Sequence, residues 1–142
     1  VRLVVIAVGK LKERAYRDLG DEYLSRIRRY TRCDEIEVGS AEDLEKRVPS
    51  DAHLIALEVD GKALSSEAFA KQLAELSARD KGVLAFVIGG ADGIPSELSR
   101  RAGLRLSLSS FTLPHRLARI VLYEQLYRAL SILRGEPYAR EG

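Results

Sequence analysis

"GVLAFVIGGADG", Gly82 to Gly93, runs six apolar residues straight into two adjacent glycines and reaches a third after Ala91 and Asp92. An apolar run of that length is too short for most helices and lacks the alternation of a half-solvated sheet, so it fits a strand covered on both faces. Two more stretches take this form, "RLVVIAVG" (Arg2 to Gly9) and "AHLIALEV" (Ala52 to Val59). Between them the spacing turns helical. Ala15, Leu19, Tyr23, Ile27 and Tyr30 fall on one face, and "SSEAFAKQLAELSAR" opens on capping Ser and Glu before a stripe of Phe69, Leu73 and Leu76. A weaker strand at "EIEV", a short helix from Glu42 to Arg47 and a last strand in "GLRLSLS" continue the alternation. The expectation is an α/β domain spanning residues 1–142, with a mainly parallel sheet and helices on both faces.

With 142 residues, 46% of them hydrophobic, the chain can bury one real core but is short for two. No apolar run approaches the roughly 18 residues of a membrane span, and the opening run lacks a signal-peptide ending, so a cytoplasmic protein without a membrane partner is expected. Cys33 stands alone beside only His53 and His115, which excludes an internal disulfide and argues against a metal site. Charge is unevenly spread. Residues 10–32 hold eight basic and four acidic side chains, residues 33–98 six and fourteen, and residues 99–142 eight Arg and three Glu with no Lys. Arginine forks suit phosphate and stack on bases, so the last segment points to nucleic acid, whereas the first cluster fits that partner or a merely solvated surface.

The long segment "HRLARIVLYEQLYRALSIL", His115 to Leu133, is apolar round more than one stripe, as a helix covered on two sides would be. The second cover is either the rest of its own core or another subunit; a homodimer is the expectation. Gly89 and Gly90 stand at the carboxyl end of a strand, where open α/β sheets bind ligands. Bare backbone there serves either a tight turn or the close approach of a flat ligand. The spacing is not that of a dinucleotide fingerprint. A second loop, "LSLSSFTLPH", leads from the last strand into the long helix, whose first turn carries Arg116 and Arg119. Cations are disfavoured there by a few tenths of a kcal/mol, so an approaching anion such as an RNA phosphate would account for them.

In order, "LVVIAVGK", "EYLSR", "LIALEVDGK", "VIGGADG", "LSLSSFTLPHRLARIVLYEQLYRALSI" and "EPYAR" resemble the RlmH family, the large-subunit ribosomal RNA pseudouridine N3-methyltransferases of the SPOUT class. The resemblance implies a carboxyl-terminal trefoil knot, an exception to unthreaded topology. It also implies a pocket for S-adenosyl-L-methionine (SAM), and an obligate homodimer whose second subunit helps complete the active site. The substrate it implies is N3 of a pseudouridine in 23S rRNA, met in the assembled 70S ribosome. Matched residue by residue, Leu57, the Gly89–Gly90 turn, and Leu108, Ser109, Ser110, Phe111, Thr112 and Leu113 would hold the cofactor, largely through backbone groups and without a metal.

Methylating an imide nitrogen needs positioning and the removal of a proton. His115, with an intrinsic pKa of about 6.5, can be the neutral acceptor. Arg128 and Arg119 can each hold phosphate or stabilise an oxyanion on the base, and Tyr138 can stack on the base or hydrogen-bond to it. Arg116, Arg119 and Arg140 are the candidates for RNA phosphates. Each has a structural alternative: a helix cap for His115, an interface pair for Arg128, tail packing for Tyr138. The family's terminal Pro-Tyr-His is here "PYA", so Ala139 stands where His is expected. That departure leaves open a weakly active or non-catalytic ribosome-binding or assembly factor. A serine hydrolase built on Ser107, Ser109 or Ser110 with His115 and Asp92 lacks the G-x-S-x-G elbow.

Overall fold

The computed structural model describes residues 2–79 and 82–140. Strands β1 (Arg2–Val8), β2 (Cys33–Val38), β3 (Ala52–Ala63), β4 (Val83–Ile88) and β5 (Leu104–Ser107) form one parallel sheet in the order β2-β1-β4-β3-β5. The opening stretch becomes the central strand. All six residues of β4 are buried. Leu84, Phe86 and Ile88 face the layer of α1 (Arg14–Ile27), α3 (Ser66–Arg79) and α5 (His115–Leu133), whereas Val83, Ala85 and Val87 face α2 (Ala41–Arg47) and α4 (Ser96–Arg101). The period of two therefore survives, but both phases are apolar because helices cover both faces. Phe86 meets Phe69 of α3 edge-on at 6.3 Å, a geometry worth about 0.5–1.5 kcal/mol beyond the buried area.

Helix α3 starts as its sequence implies, with the Ala68 N–H donating to Ser65 Oγ at 3.1 Å and Phe69, Leu73 and Leu76 buried. Helix α1 differs from its expected face. Ala15 and Leu19 are exposed, and the buried residues are Gly20, Leu24 and Ile27. Glycine sets this rotation: a Cβ on Gly20 would come 3.1 Å from Leu11 Cδ1 and 3.4 Å from Ile120 Cδ1, so its absence lets α5 close on α1. The two helices run parallel. Glu13 and Arg116 meet at one end, Gly20 and Ile120 in the middle, and Tyr23 and Tyr30 lie against Tyr127 toward the other.

Two features escape the sequence pattern. Helix α4 has six residues and buries only Leu98, too little for a periodic signal. Strand β3 runs past Val59 to Ala63, because Leu57 and Lys62 both pair with Leu106 and the residues between bulge outward. A Cβ on Gly61 would lie 2.8 Å from the Arg105 carbonyl, so only glycine lets the bulge return onto β5.

Candidate cofactor pocket and active site

A cavity of about 390 Å³ opens at the carboxyl ends of β3, β4 and β5. Its walls come from Leu57 to Val59, from the turn after β4, from the loop after β5 and from His115 and Ala118 in the first turns of α5. The two loops singled out in the sequence thus converge. Leu57, Gly89, Gly90, Leu108, Ser109, Phe111, Thr112 and Leu113 line the cavity; Ser110 is not among them. Sequence reasoning missed Glu58, Val59 and Ile94. Glu58 directly follows Leu57, and its carboxylate is held by the Arg105 guanidinium at 2.6 Å and the Ser99 hydroxyl at 2.8 Å.

The glycines have a reason internal to the chain. A Cβ on Gly89 would fall 2.4 Å from the Gly93 carbonyl carbon, because the turn folds back on itself with the Gly93 N–H donating to Gly90 O at 3.0 Å. Gly93 takes a φ of +73°, which glycine adopts without strain. Of the alternatives left open by the sequence, these contacts show the tight turn. The turn is tight, and being tight and bare it presents main chain to the cavity.

His115 lies half-buried on that cavity. Burial first, then the neighbouring Arg116 and Arg119 guanidinium groups, hold its imidazole below the ordinary histidine pKa, against a smaller opposing pull from Glu13. It is therefore neutral at pH 7. The folded-state value is lower than the unfolded one, so the stability linked to His115 is fully present above the unfolded pKa of about 6.5 and is lost as pH falls through the folded one. Replacing His115 with Gln is expected to flatten the loss of denaturant midpoint between pH 7.5 and 5.5; an unchanged slope would show that this imidazole does not titrate differently on folding.

Arg128 and Tyr138 lie elsewhere. They come together with Glu124, which accepts from the Arg128 guanidinium at 2.9 Å and from the Tyr138 hydroxyl at 2.8 Å. The Arg128 guanidinium also stands 5.1 Å over the Tyr138 ring, and that ring lies 4.5 Å from Tyr127. Burial and its bonds to Tyr23 and Glu124 push the Tyr138 phenol upward, so it stays protonated. The tail, a 3-10 turn over Pro137–Arg140, packs on α5 through these contacts. Arg128 lies thirteen positions after His115 on α5, about 20 Å along the axis. One subunit cannot bring the three candidate catalytic residues to one point.

Arg119 requires a correction. Expected at an RNA phosphate, it is 1% exposed and donates to Glu37 at 2.6 Å, to Glu35 at 3.4 Å and to Gly9 O at 2.8 Å. Arg17 and the Tyr123 hydroxyl join the same carboxylates. The cation that is misplaced in its own helix is thus compensated by β2, a contact invisible from local sequence. Other arginines of the carboxyl-terminal segment are paired too, Arg100 with Glu97, Arg101 with Glu45, and Arg105 with Glu58 and Asp60. Arg116 meets Glu13 at 3.7 Å and remains one-third exposed, and Arg140 is exposed. The Cys33 thiol is pushed up to about 12 by burial, which makes it an unreactive core residue.

Comparison with known proteins decides the family. The model for the family described as "Predicted SPOUT methyltransferase" matches residues 1–139. A Sorangium cellulosum protein named ribosomal RNA large subunit methyltransferase H is 56% identical over 144 residues, covering 98% of this chain and 99% of its own. The chain belongs to the RlmH family of SPOUT methyltransferases. A Bacillus thuringiensis member with the same name is 41% identical over 157 residues, with 97% and 99% of the two chains covered. The SPOUT fold extends further than sequence does. A probable methylase family protein from Haemophilus influenzae superposes with a TM-score of 0.58 at 12% identity, over 96% of this chain and 69% of that one. A Legionella pneumophila methyltransferase solved with bound SAM does so with a TM-score of 0.51 at 11% identity, over 91% and 66%.

Proposed function

We propose that this protein transfers a methyl group from SAM to N3 of a pseudouridine in 23S large-subunit rRNA, acting in the cytoplasm as a homodimer on the assembled 70S ribosome. The observation that carries this reading is the convergence of the Gly89–Gly93 turn, the Leu108–Leu113 loop and His115 on one cavity. Its volume and mixed lining fit a nucleoside-sized ligand: Leu57, Ile88, Leu108 and Leu113 offer apolar faces, and the glycine turn leaves main chain open to an adenine edge. SAM, when bound, supplies the activated methyl group on a sulfonium. His115 accepts the imide proton, and the loop after β5 closes over the reacting centre and excludes water.

The separation along α5 supports a site shared between subunits, with the pocket and His115 from one and Arg128 and Tyr138 from the other. We place the Arg128 guanidinium at the uracil oxygen that gains charge and the Tyr138 ring against the base. Support for a trefoil knot lies in the path: β5 pairs with β3 at the sheet edge, and α5 then returns to the face opposite α4, between α1 and α3. Among the described residues no helix is long and apolar enough to cross a membrane.

Calorimetric titration with SAM, followed by methyl incorporation into ribosomes lacking the modification, tests the activity. Methylation at another position would sink the assigned substrate, and no SAM binding at millimolar concentration would sink the enzyme. Sharing is tested by mixing. His115→Ala and Tyr138→Ala should each be inactive alone, whereas a reassorted equal mixture should regain about a quarter of wild-type turnover, since half the dimers then carry one intact site. No recovery on reassortment would mean that each subunit works alone. The Ala139 carbonyl accepts from Arg128 at 3.4 Å, a contact that does not depend on the side chain at this position.

A further inference from the structure

The basic cluster near the amino terminus has no part in the pocket or the tail triad. Part of it lies in the β1–α1 loop, residues 9–13. Three successive residues of that loop are held from outside. Gly9 O accepts from Arg119 at 2.8 Å while the Gly9 N–H donates to Val38 O at 2.8 Å. Lys10 O accepts from Arg116 Nε at 3.2 Å. The Leu11 N–H donates to Glu37 at 3.3 Å, and the Leu11 side chain is buried against α1 and α5. On this fixed backbone Lys10 and Lys12 are exposed, and neither ammonium has an ion-pair partner among the described residues. The buried charge of Arg119 is costly to desolvate, and its pairing with the partly buried Glu35 and Glu37 has the geometric effect of holding this loop.

Two contacts place the loop next to residues that line the cavity. Val8, just before it, packs against Gly90, and Arg116, just after His115, reaches its carbonyl. Its surroundings are positive. Arg14 and Arg116 flank it, and α1 and α5 start side by side with no acidic residue in either first turn, so two helix dipoles add their positive ends. The carboxylates nearby are all paired: Glu13 lies 3.7 Å from Arg116, Asp18 3.9 Å from Arg14, and Glu35 and Glu37 meet Arg17 and Arg119.

We propose that the β1–α1 loop is a preorganised phosphate-binding rim, on which Lys10 and Lys12 hold the backbone of the substrate RNA beside the target nucleoside. The inference rests on the rRNA methyltransferase reading above. Fixed backbone matters because ordering a free loop at the moment of binding would subtract from the affinity gained. The assignment moves RNA contact from Arg119, which is buried, to lysines that Arg119 indirectly positions.

The test is ribosome binding by the wild-type dimer and the Lys10→Gln/Lys12→Gln double variant across a salt series, with SAM calorimetry on both. Loss of two phosphate contacts should make the slope of log K against log salt shallower by about 1.4–1.8, with SAM affinity unchanged. A slope within about 0.5 of wild type, or a fall in SAM affinity alongside the slope, overturns the proposal. The two readings fail separately. Wild-type protein that ignores SAM defeats the methyltransferase reading while the slopes still judge the loop, and wild-type protein that ignores ribosomes defeats the loop.

Discussion

Replacing Gly89 with Ala is expected to lower SAM affinity by about 30- to 150-fold, the equivalent of roughly 2–3 kcal/mol of overpacking. The added Cβ would sit 2.4 Å from the Gly93 carbonyl carbon and 2.6 Å from its oxygen. Those atoms are backbone, so relief means opening the turn that forms the cavity floor. Neighbouring glycines give graded controls. A Cβ on Gly90 meets the Val8 Cγ1 at 3.1 Å, a side chain that can shift, so Gly90→Ala should cost less. Gly93→Ala meets no atom but must hold a φ of +73°, a strain of about 1–2 kcal/mol. Calorimetric affinities and melting temperatures of the three variants check the order. If Gly89→Ala binds SAM as wild type does, the cofactor does not depend on this turn and the pocket assignment is lost.

The second large effect falls on stability. Arg119→Met should destabilise the fold by about 3–5 kcal/mol, because the fully buried cation is lost and the partly buried Glu35 and Glu37 keep their charge with Arg17 as the one cation left beside them. For a domain of this size that is a melting-temperature drop on the order of 10 °C or more. Adding Glu37→Gln should restore part of the loss, since the uncompensated carboxylate is then gone; full additivity of the two changes would mean they do not interact. Thermal melts and the double-mutant cycle read this without any activity assay. A melting temperature unchanged in Arg119→Met, with weaker ribosome binding, would return Arg119 to the RNA-facing role the sequence suggested.

The strands were legible because burial on both faces leaves near-continuous apolar runs, and the glycine turn because close approach of backbone to backbone admits no other residue. The two pocket loops were legible for the same reason, together with the rule that ligands gather at the carboxyl ends of parallel strands. Helix α1 was misread by one position. Apolar spacing marks Leu19 and Tyr23, but α5 approaches where Gly20 leaves room, and which side chain a neighbour displaces is not written in the period.

Sequence alone settled the layered α/β architecture and the family, since both follow from local pattern carried along nearly the whole chain. Tertiary structure alone assigned the charges. Arg119 and Glu37 lie 82 residues apart and Arg105 and Asp60 45 apart, and only folding reveals that their charges cancel. The same holds for His115 and Arg128, which share α5 yet lie about 20 Å apart along it. Electrostatic energy depends on distance in space, which a linear count of lysines and arginines does not contain.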